Sequence, residues 1–260
     1  MMDPLPRLLV GYAAQRASVR ANRASAGPLL IELQDTFWSS PRPAALGRWR
    51  EGLRPNVTLS CRASRLITHD LDSGVYRALP AAERAALREA GGLRPTALVE
   101  QAWRATFAAC AALSARAVIF DTPPSFSPTA EHRRRLSAFF SNIERPPGRL
   151  YVWEPHGVWS AGEVEAICRE LALVPCVDPL AEDPLRPVAL ETVYCRLRAP
   201  DYHEGQIDRL VEWALAQPQV LMVFAGPQGE RQARRFSSAA LSLGWERDDL
   251  PQDAGEPVAP

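Results

Sequence analysis

Eight short apolar runs recur along this chain, most of them separated by segments of helical periodicity, and that alternation constrains the fold more than any other feature. The runs, rich in Val, Ile and Leu, are 8–12, 29–33, 57–61, 117–121, 149–154, 173–178, 192–198 and 220–225, and each has strand length. Parallel strands buried on both faces read as continuous apolar runs, and each parallel crossover needs a dozen or more residues, usually a helix. Helical patterns occupy Ala44 to Leu53, Pro80 to Ala112, Thr129 to Ile143, Ala161 to Leu171, Gly205 to Gln217 and Glu230 to Leu243. Eight repeats predict an α/β chain closed into a TIM-type (β/α)8 barrel. The 260 residues suit a barrel of this kind, typically about 250 residues long.

Boundary residues support the pattern. Ser160 with Glu163 three positions later is a capping-box pair, and Pro80 is suited to the first position of a helix. Gly91-Gly92 followed by Pro95 divides the long 80–112 region into two helices. Two units depart from the regular repeat. The first strand runs into a plain Gly11-Tyr12-Ala13-Ala14, a degenerate opening, and the connection from Pro179 to Glu191 carries three prolines, so it is expected to hold at most one helical turn. Residues 1–245 read as one domain, and 246–260, acidic and rich in Pro and Gly, as a disordered tail.

Composition narrows the function classes. With 47% hydrophobic and 23% charged residues the chain is neither disordered nor membrane-like overall. Thirty basic residues, all of them Arg, balance thirty acidic ones, so net charge draws the protein to neither nucleic acid nor an anionic membrane. Nucleic acid is therefore not expected as a partner unless a local patch binds it, and no membrane partner is expected. The five cysteines follow no metal or redox spacing and lie mostly in apolar runs, as reduced core residues do. No apolar stretch approaches a membrane span, and the expected location is the cytoplasm. Walker loops, G-x-S-x-G elbows, G-x-G-x-x-G turns and clustered Cys/His ligands are all missing from the sequence. Nucleotide-dependent kinase, serine-hydrolase and classical dehydrogenase chemistry are thereby disfavoured, and the cofactor is left unassigned.

In α/β barrels the chemistry sits at the C-terminal ends of the strands. Here those ends carry Glu32, Arg62, Asp121, Glu154 with His156 beyond it, Asp178, and Arg196 with Arg198. A charge within an apolar run is costly to bury unless it is paired or used. Two explanations stand side by side: a ring of structural ion pairs, such as Glu32 with Arg62 or Glu154 with Arg196, and a ligand site.

Several blocks stand out together: Ile31-Glu32-Leu33-Gln34-Asp35-Thr36-Phe37-Trp38, the Arg48-Trp49-Arg50 segment, and Cys61-Arg62-Ala63-Ser64-Arg65-Leu66-Ile67-Thr68-His69, with its A-S-R-x-I-T-H pattern. With Pro123-Pro124-Ser125-Phe126, Trp153 to Trp159 and Val193 to Leu197, they resemble the DUF72 (YecE-like) family over Leu29 to Leu243. The resemblance implies a TIM barrel and no established reaction. This chain departs from the family pattern at Gln34 for Asn, Arg62 for Lys, Asp121 for Gln, Pro155 for Arg, Arg198 for His, and Phe224-Ala225-Gly226 for F-N-N.

Three functions fit these residues. The first is binding of a small anionic ligand, bearing phosphate or carboxylate, at the barrel mouth. Arg62, Arg196 and Arg198 would act as guanidinium clamps, Asp121, His156 and Trp159 would line the site, and Gly226 would lie in a loop before a helix. Glu154, Asp178 and Glu32 are its candidate catalytic carboxylates. The second is a divalent-metal hydrolase or nuclease drawing ligands from Glu32, Asp121, Glu154, His156 and Asp178, although no local ligand spacing assigns any of them. The third is a catalytically eroded binding or scaffold protein.

Overall fold

The structure, a computed structural model, describes residues 5, 7–19, 29–181, 185, 188–243 and 245. Eight strands, β1 (Leu8–Ala14), β2 (Leu30–Leu33), β3 (Thr58–Arg62), β4 (Ala117–Thr122), β5 (Leu150–Pro155), β6 (Val174–Val177), β7 (Thr192–Leu197) and β8 (Gln219–Phe224), follow one another in chain order and close into a barrel. Neighbouring strands run parallel, as in β4–β5 and β7–β8. The full-length helices are α2 (Pro43–Glu51), α5 (Ala97–Ala112), α6 (Ala130–Asn142), α7 (Ala161–Leu171), α8 (Glu204–Leu215) and α9 (Gly229–Ser242), joined by the short α1 (Asp35–Trp38), α3 (Arg65–Thr68) and α4 (Ala81–Ala86). No helix among the described residues is long and apolar enough to cross a membrane.

Apolar runs and strands agree closely because a strand covered on both faces has no polar position to confuse the reading. β1 is a full seven-residue strand, and the unit it opens departs from the regular repeat after it, where the described residues hold the single 3-10 turn Arg16–Ser18. The connection after β6 contains the 3-10 turn Pro179–Ala181, as its prolines require. The expected disordered tail, 246–260, lies outside the described residues. Pro80 stands one place before its helix, as the N-cap, because its ψ of 150° is extended. Ser160 and Glu163 form the capping box in full. The single-turn α1 and α3 carry no periodic signal, being only four residues long.

The residues group into two compact units, one of 1–33, 51–59 and 176–260, the other of 34–50 and 60–175. In the first, the core includes Leu8, Leu197, Leu210, Met222, Phe224, Phe236 and Trp245. In the second, Phe120 of β4 is fully buried and meets the rings of Trp103, Phe139 and Phe140 at 5.7, 5.7 and 4.8 Å, so aromatic packing from α5 and α6 covers the sheet there. Gly91 carries a φ of 79° and donates its N–H to Leu66 O at 2.7 Å; a Cβ there would lie 2.1 Å from the His69 carbonyl carbon. The loop before α5 thus crosses tightly over α3 and fixes the segment that follows β3.

Phe120→Ala should remove the centre of that aromatic layer and cost roughly 3–5 kcal/mol of unfolding free energy. Urea denaturation of both proteins measures the difference, and a loss below about 1 kcal/mol would contradict this packing.

Candidate functional site

In the second unit, β3, β4 and β5 end in charged residues that meet one another. Asp121 and Glu154 occupy paired positions of the β4–β5 ladder, so their side chains leave the same face of the sheet, and both are buried. Arg62, at the end of β3, forms an ion pair through Nη2 with Asp121 Oδ2. Its Nη1 donates to Gln34 Oε1 at 3.3 Å, and the guanidinium carbon lies 3.7 Å from the centre of the Phe37 ring. The single turns after β2 and β3 support this arrangement: Thr36 Oγ1 donates to the Arg62 carbonyl at 2.7 Å, and the Ser64 side chain caps α3.

His156, just beyond β5, places Nε2 3.0 Å from Asp121 Oδ1, with a third of its side chain exposed. Arg62 and His156 therefore grip the two oxygens of one carboxylate. Burial alone would raise the pKa of Asp121. The hydrogen bond from His156 and the charge of Arg62 outweigh it and hold the carboxyl well below the usual carboxylate range. His69, pinned by its Nδ1 at 2.8 Å from Thr68 Oγ1 and set edge-on to Phe37, is pushed down to about 4 by burial; the nearby charges of Asp121, Arg62, His156 and Asp70 partly offset one another. It is neutral at pH 7.

Asp121, Glu154 and His156 offer ligand atoms within 4.8 Å of one another, and they are the residues of this group that could hold a metal ion. Two carboxylate oxygens and one imidazole nitrogen form a donor set that suits Zn or Mn. Trp159 stands apart from this chemistry. Its Nε1 donates to Phe126 O at 2.6 Å, and its ring meets Trp153 edge-on at 5.1 Å, so it braces the loop after β5.

The first unit holds a separate cluster. Glu32 of β2, fully buried, accepts from Arg196 Nε and from Tyr194 Oη, each at 2.9 Å. The charge of Glu32 thus has a protein counter-charge in Arg196. Asp178 accepts from Leu180 N at 3.1 Å and so caps the 3-10 turn after β6, while Arg198 is exposed. Gly226 meets a packing requirement, since a Cβ on it would lie 2.2 Å from Ala199 O. At these strand ends Glu32 is paired with Arg196, and Arg62 with Asp121. Tyr194 and Phe37 carry no charge that would mark them in the sequence as partners of Glu32 and Arg62. Arg62 and Asp121, each a departure from the family pattern, are ion-paired with one another.

Removing one member of the Glu32 cluster strands a buried charge. Arg196→Met should cost about 3–5 kcal/mol, read as a lowered urea midpoint, and an unchanged midpoint would refute the pairing. His69 gives a pH signature. Its folded pKa of about 4 lies below the ordinary value of 6.5, so between those values the unfolded chain takes up a proton that the folded protein refuses. Stability is therefore retained above pH 6.5 and lost as pH falls toward 4, by at most about 3 kcal/mol. Asp121, whose pKa is depressed, adds a loss at lower pH still. Denaturation at pH 7, 5 and 4 should show a smaller loss between pH 7 and 5 for His69→Gln than for the parent protein; equal losses would exclude His69 as the cause.

Known proteins place the fold in context. A DUF72 family protein from Enterococcus faecalis V583 is 12% identical, with a TM-score of 0.58 over 92% of this chain and 99% of its own. A DUF72 family protein from Thermotoga maritima is 16% identical, with a TM-score of 0.58 over 81% and 84%. Endonuclease IV from Thermus thermophilus shares the barrel at 15% identity, with a TM-score of 0.53 over 92% and 100%. No curated protein matches the chain. The family model described as "Protein of unknown function DUF72" matches residues 23–254, and this chain belongs to that family.

Proposed function

We propose that the ends of β3, β4 and β5 bind a small phosphate- or carboxylate-bearing ligand through a divalent cation held by Asp121, Glu154 and His156. The observation that carries this reading is the clustering of those three donors within 4.8 Å, with Arg62 paired to Asp121 beside them. Two buried carboxylates on neighbouring strands, one of them paired with Arg62, favour a cation between them over an anion bound directly to the protein. A divalent cation held there would in turn make the same place attractive to phosphate or carboxylate.

The protein's own groups have distinct tasks in this reading. Arg62 keeps Asp121 ionised and correctly turned, and Phe37 and Gln34 hold the guanidinium in place. Glu154 supplies the second carboxylate from the neighbouring strand. His156, the most exposed of the three, faces arriving ligand. A bound cation would polarise the ligand's oxygen as a Lewis acid. Glu32 and Asp178, one closed off by Arg196 and Tyr194 and the other capping a turn, serve structure rather than reaction.

Calorimetric titration with Mn²⁺ tests the reading directly. The parent protein should bind about one equivalent, and Asp121→Asn, Glu154→Gln and His156→Ala should each weaken binding by about tenfold or more, near 1.4 kcal/mol. Sugar phosphates should raise the melting temperature only when Mn²⁺ is present. Stabilisation by the anion in metal-free protein, with no Mn²⁺ uptake, would replace this reading with direct anion clamping.

A further inference from the structure

Away from the strand ends, α5 and α6 border a groove of about 730 Å³, a volume within the range of small-molecule sites. Its floor is aromatic: Trp103 lies 5.9 Å from Phe107 and 6.2 Å from Phe139, ring centre to ring centre. Trp103 is nearly buried, whereas Phe107 and Phe139 are half-buried. The rim is basic. Arg94, Arg104, Arg134 and Arg135 line it together with Glu100 and Glu144; with Glu131, the partner of Arg135, four positive charges stand against three negative, a balance of +1. Arg104 is tied to Glu100 and Arg135 to Glu131, and Arg94 donates to the Gly91 and Arg88 carbonyls. Arg134, exposed on α6, is the guanidinium best placed to meet a ligand.

We propose that this groove binds a free aromatic carboxylate, its flat body against Trp103, Phe107 and Phe139 and its carboxylate at Arg134. The floor selects rings, because offset and edge-to-face contacts give an aromatic ligand an attraction that an alkyl chain lacks. The rim selects the anion, because a guanidinium pairs with a carboxylate through charge-assisted hydrogen bonds that a neutral amide cannot replace. The small side chain of Ala138, which also lines the groove, leaves the ring space open.

Calorimetric titration of the full chain with 2-naphthoate, 2-naphthamide and decanoate decides the matter. One equivalent of 2-naphthoate should bind, and the amide and the alkyl acid should each bind about tenfold more weakly. Arg134→Glu should weaken 2-naphthoate by about tenfold or more, and Ala138→Trp, which fills the ring space, should abolish binding. His156→Ala should leave it unchanged, which separates the groove from the strand-end site. Absence of saturable binding would overturn the proposal, as would equal affinity for the amide or decanoate, unchanged affinity in Arg134→Glu, or loss of binding in His156→Ala. Circular dichroism verifies that each variant is folded; if Ala138→Trp is not, Arg134→Glu carries the test alone.

Discussion

A carboxylate at the end of a buried parallel strand must find partners, and the site in the second unit is organised around that requirement. Asp121 leaves β4 on the same face as Glu154 leaves β5, so two negative charges are delivered side by side into a place with little water. Arg62 and His156 answer the first of them. Removing that guanidinium would set two buried carboxylates against each other, so it is as much a part of the fold as of the site. The first unit meets the same requirement at Glu32 with Arg196 and Tyr194. What distinguishes the two clusters is access: Glu32 is sealed, while the imidazole beside Asp121 is partly open to solvent.

The barrel was legible because its strands are buried on both faces and therefore announce themselves as unbroken apolar runs. Capping chemistry at Ser160 and the Gly91-Gly92 break were equally legible, since both act within a few residues of the chain. Pairing was harder to read. Strand order places Glu32, Arg62, Asp121, Glu154 and Arg196 at strand ends, but which carboxylate meets which guanidinium depends on register and side-chain direction, and neither is written in local periodicity. The one-turn helices α1 and α3 were invisible for a related reason. A four-residue helix has no repeat to detect, yet these turns carry Phe37 and Thr36 to Arg62 and lead into His69.

Substitutions relative to the family pattern acquire a physical meaning from the contacts. Arg62 stands where the resemblance leads one to expect Lys, and Asp121 where it leads one to expect Gln; together they form a bonded pair. A planar guanidinium can meet a carboxylate, stack on Phe37 and reach Gln34 at once, which a single ammonium cannot do.

The five cysteines, all buried and in no disulfide, fall in both units: Cys61, Cys110 and Cys168 in one, Cys176 and Cys195 in the other. Burial pushes the Cys168 thiol up to about 12 and that of Cys195 well above the ordinary range, so neither presents a reactive thiolate while the chain is folded. Alkylation of these sulfurs would then proceed only through transient opening, and the order in which they are modified would report which part of the barrel breathes first.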